Sequence, residues 1–410
     1  MNTPKPLMRD ARSPLVCEEC FADEDLREWI RDQDWPPGCS FCHQSDAPTA
    51  PIDELGDYMR ECLKEFYEFA VDNLPWESAE GGYQAPHWDT FDLLFDVLEL
   101  DLPRDSDLLR RELPDYVTQE VWCEYDWTSL PFDSVLVTSW SEFCALVKHK
   151  RRFFFHRVGE AREDRDRLIP ERLLDEIASL AEDTGLIRNV PAGTKLFRAR
   201  PDDGRGPYLT SLDLGPPPAT EARQSNRMNP PGIPMMYAAE SVGTAVEEIR
   251  AKAAFVGEFQ LTREIRVLDL ADLPAIPGIF SGASRRRRLG LTFLHEFQAD
   301  IMKPVKRDER VHIEYIPTQI VTEYFRSRLF EWGSLDGIRY ASAVSSSGRN
   351  LVLFASQNEI GNASSTLSPS VWIHFICAHR RSRSKIRDFL SQAANLLTSV
   401  KALARRFRRT

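Results

Sequence analysis

The sequence lacks any long apolar run, and no segment approaches the roughly 18 consecutive apolar residues that can span a bilayer. The stretch from Met1 to Arg12 is polar and has no apolar core of a signal peptide, so a cytoplasmic location is expected. Positive charge is also in short supply, because 63 acidic residues outnumber 52 lysines and arginines and leave a formal net charge of -11. This balance argues against a chain that binds nucleic acid over its whole surface.

Cysteine is scarce, and its placement argues against a disulfide framework. Of the eight cysteines, four stand alone and four form two C-x2-C pairs, namely Cys17 with Cys20 and Cys39 with Cys42. Two such pairs, 18 residues apart, indicate one tetrahedral zinc site, because each pair places both sulfurs on one ion from a tight turn. Four thiolates close the coordination sphere, so the zinc is expected to be structural. The alternatives are unrelated pairs, a redox pair, or His43 in place of one thiolate.

Four segments are predicted along the 410 residues: a zinc-binding knuckle segment at 13–50, a helical domain at 51–184, an α+β domain at 185–378 and a basic amphipathic helix at 379–410. In the second segment, apolar residues recur at helical spacing from Leu55 to Phe69. Thr138 or Ser139 is expected to cap a helix that carries Trp140. Pro170 is expected to open a further helix.

Arg151 and His156 form an R-x4-H pattern around three consecutive phenylalanines. The region resembles a HEPN-like N-terminal domain, and some HEPN proteins are ribonucleases that use such a pair. The resemblance implies a histidine that acts as general base on the ribose 2′-hydroxyl and an arginine that stabilises the phosphate. On a straight helix, however, residues five apart lie about 140° apart and share no face. The alternative interpretation is a polar flank of a packing surface.

After Gly185, short strand patterns alternate with helices, as in an α+β domain. The predicted elements are a strand at 194–200, a strand at 235–239, a helix capped by Ser241, a helix from Ile316 to Arg326 and a β-hairpin at 336–354. Four consecutive arginines, Arg285–Arg288, are expected in a solvated loop or at the start of a helix.

Five sequence blocks in this half carry a resemblance to a known family. They are LFRAR, RMNPPGIPMMYAAE, TAVEEIR, PTQIVTEYFR and DGIRYASAVSSSGRNLVLF, and they cover roughly residues 187–358. Their order and spacing resemble the RES domain, a family of bacterial toxins that consume NAD by phosphorolysis or hydrolysis. The resemblance implies a mixed α/β, ADP-ribosyltransferase-like fold for this half, which follows the zinc-knuckle segment and the mainly helical region predicted from the sequence pattern.

The resemblance also implies the site residues: Arg198, Glu248 and Ser342 as catalytic residues, with Tyr237, Arg227 and Asn229 as further NAD-binding candidates beside Arg198. These residue types suit NAD. A planar guanidinium binds diphosphate oxygens in a bidentate way. A carboxylate stabilises the positive charge that builds on the ribose as nicotinamide leaves. Tyr237 is expected to stack on the substrate, and Ser342 to hold a ribose or phosphate oxygen. Phosphate or water would be the acceptor.

Helix geometry discriminates between the two glutamates of TAVEEIR. Val242, Ala245, Val246 and Ile249 define the apolar stripe of this helix. At 100° per residue, Glu248 lies about 110° from the centre of the stripe and Glu247 about 150° away. Glu248 therefore flanks the packed face, whereas Glu247 is expected to point into water. Arg198 and Arg200 share one strand face, so Arg200 remains a possible second cation.

The basic C-terminal segment carries ten lysines and arginines and one acid between Arg380 and Arg409, with apolar residues at helical spacing. Such a helix docks on an acidic partner, a membrane or nucleic acid. The function expected for the whole chain is NAD degradation of the toxin or bacterial-defence type, with an antitoxin protein as a candidate partner. The alternatives are ADP-ribosyl transfer to a macromolecule, a HEPN-type ribonuclease, or a non-catalytic sensor of NAD or ADP-ribose.

Overall fold

The computed structural model describes residues 13–79, 81–104, 107–154, 165–305, 310–362 and 370–382. It contains 39% helix and 21% strand, which confirms the predicted α+β class. The chain divides into two compact units. The first comprises residues up to Val135 together with Ala275–Thr292, and the second comprises Leu136–Pro274 and the chain from Phe293 onward. This division falls well before residue 184, where the sequence analysis placed the boundary.

Short elements build the first unit. Its helices are α1 (Glu24–Arg31), α2 (Ile52–Lys64), α3 (Ala70–Asn73), α4 (Thr90–Asp92, continued by a π-helical turn at Leu93–Val97) and α5 (Asp107–Val117). Its strands are β1 (Leu15–Cys17), β2 (Thr49–Pro51), β3 (Tyr67–Phe69), β4 (Trp76–Glu77), β5 (Gly82–Tyr83), β6 (His87–Trp88) and β7 (Trp122–Glu124). The mainly helical character predicted for the N-terminal half is confirmed.

The knuckle segment shares one core with the helices that follow it. Cys17, Cys20 and Cys39 are buried with apolar residues of α1, α2 and α5. Asp23 caps α1, because its carboxylate accepts the backbone N–H of Leu26 at 3.0 Å. Residues 13–50 therefore form part of the first unit's core.

The second unit is organised around one large sheet. Its strands are β8 (Ile187–Val190), β9 (Lys195–Pro201), β10 (Met236–Ala239), β11 (Ala253–Leu261), β12 (Ile265–Leu270), β13 (Gly337–Ala341), β14 (Arg349–Leu353), β15 (Ile360–Asn362) and β16 (Ile373–Ser382). Helices assigned to this unit wholly or in part are α6 (Phe132–His149), α7 (Pro170–Asp183), α8 (Ser211–Leu214), α9 (Val242–Ile249), α10 (Arg285–Met302), α11 (Val311–Glu314) and α12 (Ile316–Ser327).

The nine strands run in the order β15-β16-β11-β9-β10-β14-β13-β12-β8. Neighbours are antiparallel except for β12 with β13 and β15 with β16. Helix α9 packs on β9, since its Val246 is buried against Phe197 and Ala199. This arrangement places α9 beside the strands β9 and β10 and sets the position of the candidate site.

Most elements predicted for this unit are confirmed. They include β9, β10, the Ser241 cap of α9, the opening of α7 at Pro170, α12, and the hairpin of β13 with β14. Arg285 begins α10, so the arginine run lies at the start of a helix, which is one of its two predicted positions.

Two predicted helix starts are wrong. Helix α6 begins at Phe132 instead of Thr138 or Ser139, because Pro131 precedes it and Leu136 extends its buried face upstream. Residues 379–382 are not helical, because β16 continues to Ser382 in register with β11. The rest of the predicted C-terminal helix, and His156 of the R-x4-H pattern, lie outside the described residues.

Helices α2 and α5 approach each other closely at Gly56. A Cβ atom at this position would overlap the backbone carbonyl of Tyr116 in α5. We expect Gly56→Ala to destabilise the protein by about 1–3 kcal/mol, because the two helices must separate. Glu61→Ala, on the exposed face of α2, is the control and should change stability by less than about 0.5 kcal/mol. Equal midpoints of urea unfolding for Gly56→Ala and wild type would contradict this packing.

Candidate functional site

The carboxylate of Glu248, in the last turn of α9, is the centre of a polar cluster. Its Oε1 atom accepts one hydrogen bond from Ser342 Oγ and one from Asn350 Nδ2, each at 2.7 Å. Among the described residues, no cation pairs with this carboxylate. Two neutral donors therefore fix its orientation and leave its negative charge uncompensated.

Ser342 follows β13 and begins the loop to β14. Its backbone N–H donates to Gly348 O at 2.8 Å, and its Oγ accepts the N–H groups of Val344 and Ser345 at 3.2 and 3.1 Å. Gly348 lies against Thr244 of α9, where a Cβ would come within 2.7 Å of the threonine side chain. The loop therefore lies tightly on α9, and this contact carries Ser342 to Glu248.

Two residues of this cluster, Asn350 and Tyr340, were not predicted from the sequence. They are register partners on adjacent strands, so both side chains lie on one face of the sheet. Asn350 is only 4% exposed, and burial together with the negative charge of Glu248 raises the pKa of Tyr340 above its ordinary value. The signal was a single polar residue opening the apolar run Leu351–Leu353.

Arg198 lies on β9, opposite Gly257 of β11. Its Nη1 atom is buried and has no hydrogen-bond partner among the described residues. Desolvation, followed by the charge of Arg200, lowers the pKa of Arg198 to about 10. Arg200 itself lies over the ring of Tyr208 at 5.1 Å. A buried guanidinium nitrogen without a partner is costly unless a ligand supplies the acceptor.

Tyr237, Asn229 and Arg227 organise the turn before β10. The hydroxyl of Tyr237 donates to Asn229 Oδ1 at 2.7 Å and accepts the N–H of Met228 at 3.3 Å. The Asn229 amide donates to Ile233 O at 2.7 Å, and the residue is buried. Asn229 therefore stabilises the turn, and its expected contact with a ligand stays a prediction.

The guanidinium of Arg227 is also engaged within the protein. It donates to the backbone carbonyls of Ile301 and Lys303 at the end of α10, the second at 3.0 Å, and lies over Tyr315 at 5.4 Å. One side of Arg227 lines a pocket of about 440 Å³. These hydrogen bonds place the positive charge of Arg227 at the C-terminus of α10, where cations complement the helix dipole.

The structure brings two of the three predicted catalytic residues together, because Ser342 and Glu248 share a hydrogen bond. Among the described residues no hydrogen bond joins Arg198 to Glu248 directly. Arg198 lies on β9, two positions from β14 in the strand order of the sheet.

An ion network at one end of β12 and β13 supports this site. Asp269, which is fully buried, pairs with Arg339 at 3.0 Å and with Arg188 at 3.3 Å. Arg339 also binds Glu240 in a bidentate way, at 2.7 and 3.0 Å. Glu240 immediately precedes the Ser241 cap of α9, and Arg339 immediately precedes Tyr340. The network therefore fixes both the start of α9 and the strand that leads to Ser342.

The four paired cysteines converge in the first unit. Their Sγ atoms lie within 4.8 Å of one another, with separations of 3.6 Å for Cys17–Cys20, 3.4 Å for Cys17–Cys42 and 3.7 Å for Cys20–Cys39. These separations exceed a disulfide bond, which is about 2.05 Å long. They are close to the roughly 3.8 Å edge of a tetrahedron with metal–sulfur bonds of about 2.3 Å. Cys39 Sγ also accepts the N–H groups of Phe41 and Cys42 at 3.4 Å. The cluster is suited to hold one metal ion.

Two family models match the chain. Residues 195–375 match the RES domain. The chain contains a RES domain. Residues 32–161 match HEPN/RES N-terminal domain 1, so the RES domain lies behind a HEPN-like N-terminal domain, as the sequence blocks indicated. At the level of the family, the RES match supports an NAD-related, toxin-type function.

No curated protein and no solved structure shows significant similarity to the chain. The ADP-ribosyltransferase-like fold implied by the resemblance therefore stays a prediction. Within the described ranges of the RES protein, helices long and apolar enough to cross a membrane are absent.

The ion network gives a testable expectation for stability. Arg339→Met should destabilise the RES protein by about 3–5 kcal/mol, because it leaves the buried Asp269 carboxylate without its closest cation. Arg205→Met removes an exposed pair with Asp203 and should cost less than about 1 kcal/mol. Urea unfolding measures both values. A difference below about 1 kcal/mol between the two variants would show that the network does not hold the strands.

Proposed function

We propose that this RES domain binds NAD and cleaves the bond between nicotinamide and ribose. The observation that carries the proposal is the Glu248 carboxylate, which two neutral donors orient and no described cation neutralises. A carboxylate in this state is complementary to a positive charge that develops only during the reaction. A lysine or arginine already paired with the carboxylate would weaken its interaction with that developing charge.

The chemistry of NAD supplies such a charge. As the bond to nicotinamide breaks, positive charge spreads over the ribose C1″ and ring oxygen, as in glycoside hydrolysis. Glu248 stabilises this charge and accepts a hydrogen bond from a ribose hydroxyl. Because nicotinamide departs as a neutral molecule, its departure requires no proton, so a separate general acid is not needed.

The substrate's diphosphate would bind near Arg198. A buried guanidinium nitrogen without a partner gains most from an anionic oxygen, and a planar guanidinium binds such oxygens in a bidentate way. Arg200, two residues along β9 and on the same face of the strand, adds a second positive charge. Two cations on one face of a strand favour a ligand with two negative charges.

The acceptor of the ribosyl group decides the product. Inorganic phosphate would yield ADP-ribose-1″-phosphate, and water would yield ADP-ribose. Either reaction depletes NAD, which suits a toxin or defence role that an antitoxin protein would restrain.

The direct test is to incubate the purified protein with NAD, with and without phosphate, and to follow nicotinamide release. Glu248→Gln should lower kcat by about 10²- to 10³-fold, because the developing positive charge loses its counter-charge. Glu247→Gln, one residue earlier in α9, is the matched control and should retain wild-type kcat. Equal rates for the two variants, or no release by wild type, would contradict the proposal. Release only after a macromolecule is added would indicate ADP-ribosyl transfer instead.

We also propose that the metal suited to the four-cysteine cluster is Zn²⁺ and that it is structural. All four candidate ligands are thiolates, which select zinc or iron–sulfur chemistry, and four of them leave no open position for substrate. Three of the four cysteines are buried in the core of the first unit. Bound zinc would therefore stabilise that core.

Metal analysis of the purified protein should find one Zn per chain. Cys39→Ser should lose the metal and lower the melting temperature of the first unit, because one ligand is removed and three thiolates remain close together. Cys377→Ser, which alters a cysteine of β16 in the second unit, should keep the metal. Less than one zinc per chain in wild type, or full zinc content in Cys39→Ser, would overturn the assignment.

A further inference from the structure

The donors around Glu248 are arranged asymmetrically. Both hydrogen bonds, from Ser342 and from Asn350, end on the same carboxylate oxygen, Oε1. Oε2 has no hydrogen-bond partner among the described residues. We infer that Ser342 and Asn350 are positioning residues that hold Oε1, so that Oε2 is the atom presented to the substrate. This inference rests on the proposed NAD cleavage and extends it to how the carboxylate is aimed.

The hydroxyl of Ser342 has no capacity left for substrate. A serine hydroxyl offers one donor and two acceptor lone pairs. In this structure the donor goes to Glu248, and the lone pairs accept the N–H groups of Val344 and Ser345. A substrate oxygen could bind Ser342 only if one of these three bonds broke. Ser342 therefore acts through Glu248 and not as a nucleophile or a ligand contact.

The position of the second donor, Asn350, is also fixed by its surroundings. Its backbone is paired on both sides, with Tyr340 of β13 and with Ala239 of β10. The side chain is buried, so it can move little. The amide nitrogen must face Glu248, because an ionised carboxylate only accepts hydrogen bonds. A donor fixed by a central strand thus meets a carboxylate fixed by a helix.

The two donors also come from the two ends of one loop. Ser342 follows β13, and Asn350 lies within the first two residues of β14. Rotation of the Glu248 carboxylate would break both bonds at once, and it would release the loop that Ser342 ties through its two acceptor bonds. The orientation of Oε2 is therefore set before substrate arrives, which is the preorganisation that electrostatic stabilisation needs.

Three variants test the inference by steady-state kinetics. Asn350→Ala should lower kcat by about 10- to 100-fold and change KM by less than about threefold, because a hydrogen bond to a charged group is lost while no substrate contact is removed. Asn350→Asp has the same shape but places an acceptor against Glu248, so its kcat should be lower still. Asn189→Ala removes an equivalent bond, from Asn189 Nδ2 to Glu264 Oε1 at 3.1 Å on the exposed edge of the sheet, and should leave kcat unchanged.

Two results would overturn the inference. One is a kcat for Asn350→Ala within threefold of wild type. The other is an Asn350→Asp variant at least as active as Asn350→Ala, because the sign of the group facing Glu248 would then be irrelevant. A purely structural role predicts that melting temperature and the fraction of active protein fall together at constant kcat per active site. Active-site titration separates that outcome from a true loss of kcat.

A second measurement needs no catalysis and separates this inference from the proposed function. In protein labelled with ¹⁵N-asparagine, the Asn350 side-chain amide, assigned from its loss in Asn350→Ala, should exchange slowly with water and shift downfield. Glu248→Ala should abolish both properties and leave the Asn189 amide unchanged. If wild type releases no nicotinamide, the proposed function fails. The spectrum then still tests whether Asn350 donates a hydrogen bond to Glu248. An Asn350 signal unaffected by Glu248→Ala would disprove the contact.

Discussion

The pair of hydrogen bonds on Oε1 of Glu248 is the interaction on which the candidate site depends. It joins three elements that are distant in the sequence, namely α9, the loop that begins at Ser342, and β14. Without it, a carboxylate at the end of a short helix would rotate freely in a half-exposed position. With it, the same carboxylate has one occupied oxygen and one available oxygen. The rest of the second unit can be understood as the scaffold that brings these three elements together.

That scaffold uses both backbone and charge. The register of β10, β14 and β13 aligns Ala239, Asn350 and Tyr340, and so fixes the donor strand. The Arg339 guanidinium then ties β13 to Glu240, next to the start of α9, and to buried Asp269. A buried ion network contributes little net stability, because desolvation offsets most of the attraction, but breaking it is costly. Such a network suits a site that needs fixed geometry more than extra stability.

Sequence reasoning predicted the parts of this molecule that follow from local pattern. The Ser241 cap, the apolar stripe that singled out Glu248 over Glu247, and the cysteine pairs all depend on residues close in sequence. The contacts of Asn350 with Glu248 and of Arg339 with Asp269 join residues that are 102 and 70 positions apart, which no local pattern encodes. The side chain of Asn229 forms hydrogen bonds within the turn before β10, and its predicted contact with NAD stays a prediction. Family resemblance identified the motif, whereas the contacts among its residues depend on the packing of the whole unit.

The most direct test is a crystal structure of the protein with a non-cleavable NAD analogue. We expect the nicotinamide ribose within hydrogen-bond distance of Glu248 Oε2, while Oε1 keeps its bonds to Ser342 and Asn350. We also expect diphosphate oxygens on the guanidinium of Arg198. An analogue bound elsewhere, or a ribose that contacts Ser342 Oγ while Oε2 faces away, would contradict the account.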